Sequence, residues 1–329
     1  MESVMRGDLA AYVARRLAIT LLTLFAVSIL IFVVLEVMPG DAARLRVGPF
    51  ATESQYLAMR QELGLDRPAL IRYLSWLVNF ITGNWGESWR LSVPILPLIG
   101  HALSNSALLA GTTFLFVVPI SLLAGSVAAV YRGRFIDYAI VNIGLVGVAL
   151  PEFLIGTFLI VSFSIWIPVL PSSSLIPDGT GFLASSRYLI LPAASLALVL
   201  FGYISRMMRA NTIDELRRAY VRSAILKGLP LHVVLIKHVF RNALLPSITV
   251  ITNQVSWLVA GLVVIENLFN YPGVGKLLVA AALGHDLALL EVTVMLKATI
   301  LMLTNLAGDL LYGLANPRLR LHSKVANNA

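Results

Sequence analysis

Six stretches of about twenty residues, at 17–35, 102–131, 138–169, 188–205, 242–265 and 292–313, are almost wholly apolar. In a bilayer every backbone polar group must find its partner within the segment, so such a run reads as a spanning helix. The rest of the chain agrees. Of its 329 residues 58% are hydrophobic and 13% are charged, against about 25% charged in an ordinary globular domain. This excludes a soluble enzyme and a disordered chain, which needs low hydrophobicity and high charge. With no Cys there is no disulfide framework, thiolate zinc site, iron–sulfur cluster or cysteine nucleophile. The predicted class is an all-α integral membrane protein with six transmembrane helices.

Orientation follows from the basic residues, which gather on the cytoplasmic side of short loops. Most of the 25 Lys and Arg lie in four segments: Arg6, Arg15 and Arg16; Arg132 and Arg134; the eight basic residues of 206–241; and Arg318, Arg320 and Lys324. With six spans all four fall on one side, so both termini are predicted cytoplasmic. The net charge of +8 is then a membrane signature and gives no reason to expect nucleic acid. The first apolar run exceeds the apolar stretch of a cleavable signal peptide and is read as a retained anchor.

Residues 39–100 form a long outer segment with folding signals. Thr52 and Gln55 make a capping-box pattern before a helix through Leu63, with Gly64 as its left-handed stop. A second helix is expected after Pro68, with Arg72, Ser75, Asn79 and Thr82 on one face and Leu70, Leu74, Leu77, Val78 and Ile81 on the other; Tyr73 and Trp76 suit the headgroup level. This helix could rest on the membrane, cap the bundle or dock a partner. The remaining outer segments, 170–187 and 269–290, are short.

The longest cytoplasmic segment is 206–241. Thr212 and Glu215 predict a helix start, Ala219 to Lys227 continue it, Gly228 and Pro230 stop it, and a further helical piece from Leu231 leads into Asn242 and Pro246. Small Ser223, Ala224 and Gly228 allow another surface to approach closely. By composition alone the piece could equally lie on anionic lipid.

Read as strings, Tyr220-Val-Arg-Ser-Ala-Ile-Leu-Lys-Gly228 and Lys237-His-Val-Phe-Arg-Asn-Ala-Leu-Leu-Pro246 resemble the coupling loop of binding-protein-dependent ABC importer permeases of the peptide and nickel branch. The general pattern is Glu-Ala-Ala, three residues, then Gly; here Arg222, Ser223 and Ala224 hold the triplet positions with Gly228 in register, so two letters depart while the spacing holds. Leu63-Gly-Leu-Asp-Arg-Pro68, Glu266-Asn-Leu-Phe-Asn-Tyr-Pro-Gly-Val-Gly-Lys276, Asp309-Leu-Leu-Tyr and Asn316-Pro-Arg-Leu-Arg320 resemble further stretches of that family in the same order.

The resemblance implies half of a two-subunit pore in the bacterial cytoplasmic (inner) membrane. Its partners would be a second homologous permease, two cytoplasmic ABC ATPases that use ATP and Mg, an extracytoplasmic solute-binding protein, and membrane lipid. This chain would bind no cofactor or metal itself. The cargo of such relatives is di- or oligopeptide, with nickel chelates, glutathione and other small solutes in the same branch. The coupling residues would be Tyr220, Arg222, Ser223, Ala224, Lys227, Gly228, His238, Arg241, Asn242 and Pro246. The expected organisation is an anchor at 1–38, an outer helical segment at 39–100, a permease core at 101–320 and a tail at 321–329.

No catalytic set can be assembled. A phosphate-cradling loop needs Gly, four residues, Gly-Lys and Ser or Thr, whereas Leu277 follows Gly275-Lys276 and Asn270 stands where the first Gly belongs. The five His are scattered without paired ligand spacing. Ionisable residues at membrane depth face a bundle interior or water. Glu152 beside the helix-kinking Pro151, together with Asn253, Gln254 and Ser256, are therefore candidates for a solute path, although interhelical hydrogen bonding explains the last three equally. Glu291 and Lys297 are too far apart along one helix to be assumed paired, and Asp309 is placed to reach water, Arg318 or Arg320. A gradient-driven secondary transporter, the rival class, predicts an internal repeat and broken helices; no repeat of 10–165 is found in 170–320.

Overall fold

The structure, a computed structural model, describes residues 2–37, 42–48, 50–175 and 182–315. The 321–329 tail, Arg318, Arg320, Lys324 and the Asn316–Arg320 motif lie outside the described residues. The described residues are mostly helical, and the only strand-like pairing among them is an isolated bridge between Glu87 and Pro94. The elements are α1 (Glu2–Val37), α2 (Ala42–Val47), α3 (Glu53–Glu62), α4 (Ala69–Thr82), α5 (Ile95–Val130), α6 (Phe135–Ala149), α7 (Glu152–Ile160), α8 (Phe182–Leu216), α9 (Ala219–Leu226), α10 (Leu231–Val233), α11 (Arg241–Leu268), α12 (Val274–Leu283) and α13 (Leu287–Ala315). Two π-helical stretches, Val161–Trp166 and Val234–Phe240, extend α7 and α10.

Among the described residues five helices are individually long and apolar enough to cross a bilayer, in α1, α5, α8, α11 and α13. The expected third span is instead two helices, Phe135–Ala149 and Glu152–Trp166, bent by 108°. The cause is local. Proline excludes the α conformation from the residue before it and lacks an N–H; Leu150 is accordingly extended and Pro151 becomes the N-cap of α7. A kink was expected here, and a full break is found. Counted as one bent span, this pair gives six.

The chain divides into two compact units. One takes in the described parts of 1–16, 107–271 and 304–329; the other comprises 17–106 and 272–303.

The first unit is built on α8. Its inner face, Leu196, Leu200 and Ile204, packs with Leu109 of α5 and with Leu258, Ile265 and Phe269 in and just beyond α11. Between apolar helices in lipid, association depends on close backbone approach, and small residues provide it: Gly144 of α6 lies on Gly202 of α8, and Gly147 lies on the backbone of Leu198. A Cβ at Gly202 would overlap the Gly144 carbonyl. At the end of this contact Arg209 of α8 grips Asp137 of α6 with two hydrogen bonds, 2.6 and 2.8 Å, and Asp137 also accepts the Gly133 N–H at 2.9 Å. The carboxylate thereby ties the turn before α6 to α8. Within the same unit, Arg16 of α1 pairs with Asp309 of α13 at 2.8 Å. Tyr271 is buried beyond α11, and desolvation followed by the nearby Glu266 pushes its hydroxyl up to about 12, so it stays neutral.

The second unit contains the outer segment. The capping box forms as the sequence predicts: the Gln55 N–H donates to Thr52 Oγ1, and the Thr52 N–H donates to Gln55 Oε1 at 2.9 Å. Gly64 takes φ +64° to end α3. The second predicted helix is α4, closed by Gly83 at φ +77°. Its faces differ from the expectation in one respect. Tyr73 is buried against α1, hydrogen-bonded to Ser28 at 2.8 Å, and starts an aromatic ladder through Trp76, Phe80 and Trp85 with centroids 5.9–6.2 Å apart. An inward hydrogen-bond partner and ring edges from Phe25 and Phe32 outweigh a headgroup position for this tyrosine. Leu70, Ile71, Leu74, Val78 and Ile81 form an exposed apolar stripe. Asp286, buried before α13, accepts the hydroxyl of Ser88 and the N–H groups of Trp89 (3.1 Å), Arg90 (3.2 Å) and Leu289 (3.2 Å). One carboxylate thus caps a helix and clamps the loop before α5.

Candidate functional site

The predicted helix start at Thr212 does not occur. Thr212 is buried inside α8, which runs on to Leu216, so the extended backbone required of an N-cap is absent there. The break falls at Arg217 and Arg218, with Arg218 extended as the N-cap of α9. The expected stop is found: Lys227 is the C-cap, Gly228 takes φ +79°, and the Leu229 N–H reaches back to the Ala224 carbonyl at 3.3 Å. That six-residue return satisfies a helix-end carbonyl, and the positive φ is what glycine allows without strain. Pro230 then opens α10, the π-helical stretch follows, and the chain enters α11 without interruption.

A small core holds the segment together. Val221 of α9 meets Val234 and Val239 of the π-helical stretch, with Leu216, Ala224 and Leu235 around them. The hydroxyl of Tyr220 joins the ends: it donates to Glu215 Oε2 at 2.6 Å and accepts from Asn242 Nδ2 at 2.9 Å. Desolvation, and then the hydrogen bond to Glu215, raise the Tyr220 hydroxyl above the usual phenol range, which keeps its proton in place for that bond. Glu215 was legible only as a helix-start acid. Its role as the acceptor that orients Tyr220 depends on where α8 ends, and the sequence misplaced that end.

The predicted coupling residues separate into two groups. Ala224 packs around the valine core, and Tyr220 and Asn242, although exposed, are tied to each other by a hydrogen bond; Arg222, Ser223, Lys227, Gly228 and Arg241 are exposed on the segment, and Pro246 lies exposed inside α11. His238 contributes a backbone carbonyl 3.5 Å from the Tyr220 hydroxyl. Sequence reading missed the apolar residues among the exposed ones. Leu226 is 80% and Ile236 72% exposed, with Ile225, Leu229 and Leu231 also open. A basic segment whose surface also presents five large aliphatic side chains is built to be covered.

The pathway candidates are less convergent. Glu152 is the first residue of α7, and its carboxylate lies against Gly261 of α11. Asn253 is exposed, while Gln254 and Ser256 are half-buried, the Gln254 Oε1 having no hydrogen-bond partner among the described residues. Asn211 Nδ2 to Ser247 Oγ, at 2.9 Å, is a polar tie between α8 and α11 that the sequence did not suggest. Among the described residues no cluster of three or more His, Asp or Glu could hold a metal ion.

Apolar spans joined by small-residue contacts define a polytopic membrane protein. Residues 121–321 match the family described as the binding-protein-dependent transport system inner membrane component, and residues 9–118 match the N-terminal part of that system's membrane component. The chain belongs to this family of transport permeases. It is 35% identical to a putative peptide transport system permease of Brucella abortus (strain 2308), over 95% of this chain and 99% of that one. It is 36% identical to the di/tripeptide transport system permease of Pseudomonas aeruginosa (strain UCBPP-PA14), covering 94% and 98%, and 33% identical to the glutathione transport system permease of Shigella flexneri serotype 5b (strain 8401), covering 94% and 98%.

Proposed function

We propose that the chain is the permease subunit of an ATP-driven peptide importer in the bacterial inner membrane. It crosses six times, with the bent α6–α7 pair as one span and both termini cytoplasmic, and forms half of a pore with a second permease. Two ATPases bind on the cytoplasmic side and a solute-binding protein delivers cargo outside. The names of the relatives favour di- and tripeptides, with glutathione, itself a short peptide derivative, in the same chemical range.

The observation that carries this reading is the α9 segment: a valine core fixes its shape while Leu226, Ile225 and Ile236 remain open for a partner. A rigid piece with an apolar outer face can transmit a push. When the ATPases close on ATP, α9 moves with them and, through Tyr220 with Glu215 and Asn242, pulls on the ends of α8 and α11. Gly228 sets the angle at which α9 leaves the segment. Gly228→Trp is expected to abolish peptide uptake and peptide-stimulated ATP hydrolysis with the chain still in the membrane, whereas Gly228→Asn, which tolerates positive φ, retains both in large part. Normal uptake by the Trp variant would remove α9 from the mechanism.

A further inference from the structure

The second unit holds a cleft of about 490 Å³ that the proposed translocation machinery does not use. Among the residues lining it are Glu36 at the end of α1, Arg72, Trp76 and Asn79 of α4, Trp89 and Glu291 near the start of α13. Its volume lies within the range of small-molecule sites, about 300–1,000 Å³. We propose that this cleft is a binding site for a small zwitterion, an ammonium and a carboxylate on one short peptide or amino acid.

The charges argue for both ends of such a molecule. Glu36 and Glu291 line the same cleft, and among the described residues only Glu36 is paired there, with Arg72. A carboxylate in the wall with no cation beside it favours a cationic group on the ligand. Arg72 pairs with Glu36 through one terminal nitrogen only. Its Nε and the indole N–H of Trp76, one helical turn on, have no hydrogen-bond partner among the described residues. Buried donors without acceptors are costly, and a carboxylate seated beside α4 would answer both after a small side-chain adjustment. Arg60, also in the wall, is already taken by Asp66 at 2.8 Å and Tyr56 at 3.2 Å. Trp76 and Trp89 supply aromatic walls, as small-molecule sites do. Neither charge alone accounts for the arrangement: a simple anion would leave the Glu291 carboxylate without a cation, and a simple cation would leave the Arg72 and Trp76 donors unmet.

This site is separate from the α9 segment but rests on the proposed orientation, which opens the cleft to the outer side, where peptide arrives. The test uses the full chain in lipid nanodiscs without solute-binding protein, titrated with alanyl-alanine and followed by calorimetry and tryptophan emission. Saturable binding is expected, weakened at least tenfold by Glu291→Gln, which leaves the Arg72–Glu36 pair intact. N-acetyl-alanyl-alanine amide, lacking both charges, should bind at least tenfold more weakly, and Trp76→Phe should remove part of the emission change. Absence of binding, equal affinity for the capped peptide, or indifference to Glu291→Gln would each overturn the site. Uptake and ATP hydrolysis by the assembled transporter, measured on the same variants, judge the importer reading independently.

Discussion

The segment at 39–100, predicted to lie outside, and the α9 segment stay folded by different means. The outer segment is held by polar and aromatic contacts: the Asp286 clamp, the Tyr73–Trp85 ladder, the capping box at Thr52 and the Arg72–Glu36 pair. The α9 segment has three buried valines and one tyrosine hydroxyl, and leaves its large aliphatic residues outside. Both also display large aliphatic side chains, Leu70, Val78 and Ile81 on α4 and Leu226 and Ile236 on the α9 segment, and each gains by having them covered. In the proposed importer the difference separates a scaffold braced by polar and aromatic contacts, with a cleft, from a contact surface with just enough core to keep its shape.

The comparison breaks most visibly at Asp286. Asp286→Ala removes the acceptor for four donors at once, and hydrogen bonds to a charged group contribute about 1.5–3 kcal/mol each before compensation by water. A loss of about 3 kcal/mol or more is expected, seen as a clear fall in the thermal unfolding midpoint of the purified protein and early proteolysis around residues 85–92. An unchanged midpoint would show that the clamp is incidental.

Leu226→Glu sharpens the contrast from the other side. It should leave the unfolding midpoint where it is, since the side chain packs against nothing, and weaken co-purification with the ATPases by about tenfold, the equivalent of about 1.4 kcal/mol. A fall in stability with intact assembly would reverse the roles assigned to the two pieces. The smallest effect is expected at Tyr220→Phe, which keeps the ring and removes the link between Glu215 and Asn242. It should cost about 1 kcal/mol or less, given the partial exposure of all three groups, and lower the ratio of uptake to ATP hydrolysis more than it lowers assembly.

Much of this architecture was legible along the chain because membranes and helix ends impose local rules. A run of apolar residues must become a helix in lipid, so five spans follow directly from 17–35, 102–131, 188–205, 242–265 and 292–313. Thr52, Gly64 and Gly228 act where the chain must start or turn, and each does what its side chain, or lack of one, predicts. The loop strings at 220–228 and 237–246 marked the segment that the structure folds around a valine core.

Other features were decided only by the packed structure. Thr212 carries the letters of a helix start yet lies inside α8, because the interior of that unit continues past it to Leu216. Pro119, Pro192 and Pro246 sit within continuous helices while Pro151 breaks one; the residue type is the same and the surroundings differ. Tyr73 turned inward because Ser28 and two phenylalanine rings waited there. Asp137 and Arg209, 72 residues apart, and Asp286 with Ser88, 198 apart, became partners through helix crossings and turns that no local pattern encodes. The sequence by itself determined which segments are helical, which are apolar enough to enter the bilayer and where glycine ends a helix, since these depend on solvation and backbone sterics over a few residues. Tertiary structure alone decided which charges meet, which face of α4 turns inward and where a cleft remains, because those depend on distances between residues far apart in the chain.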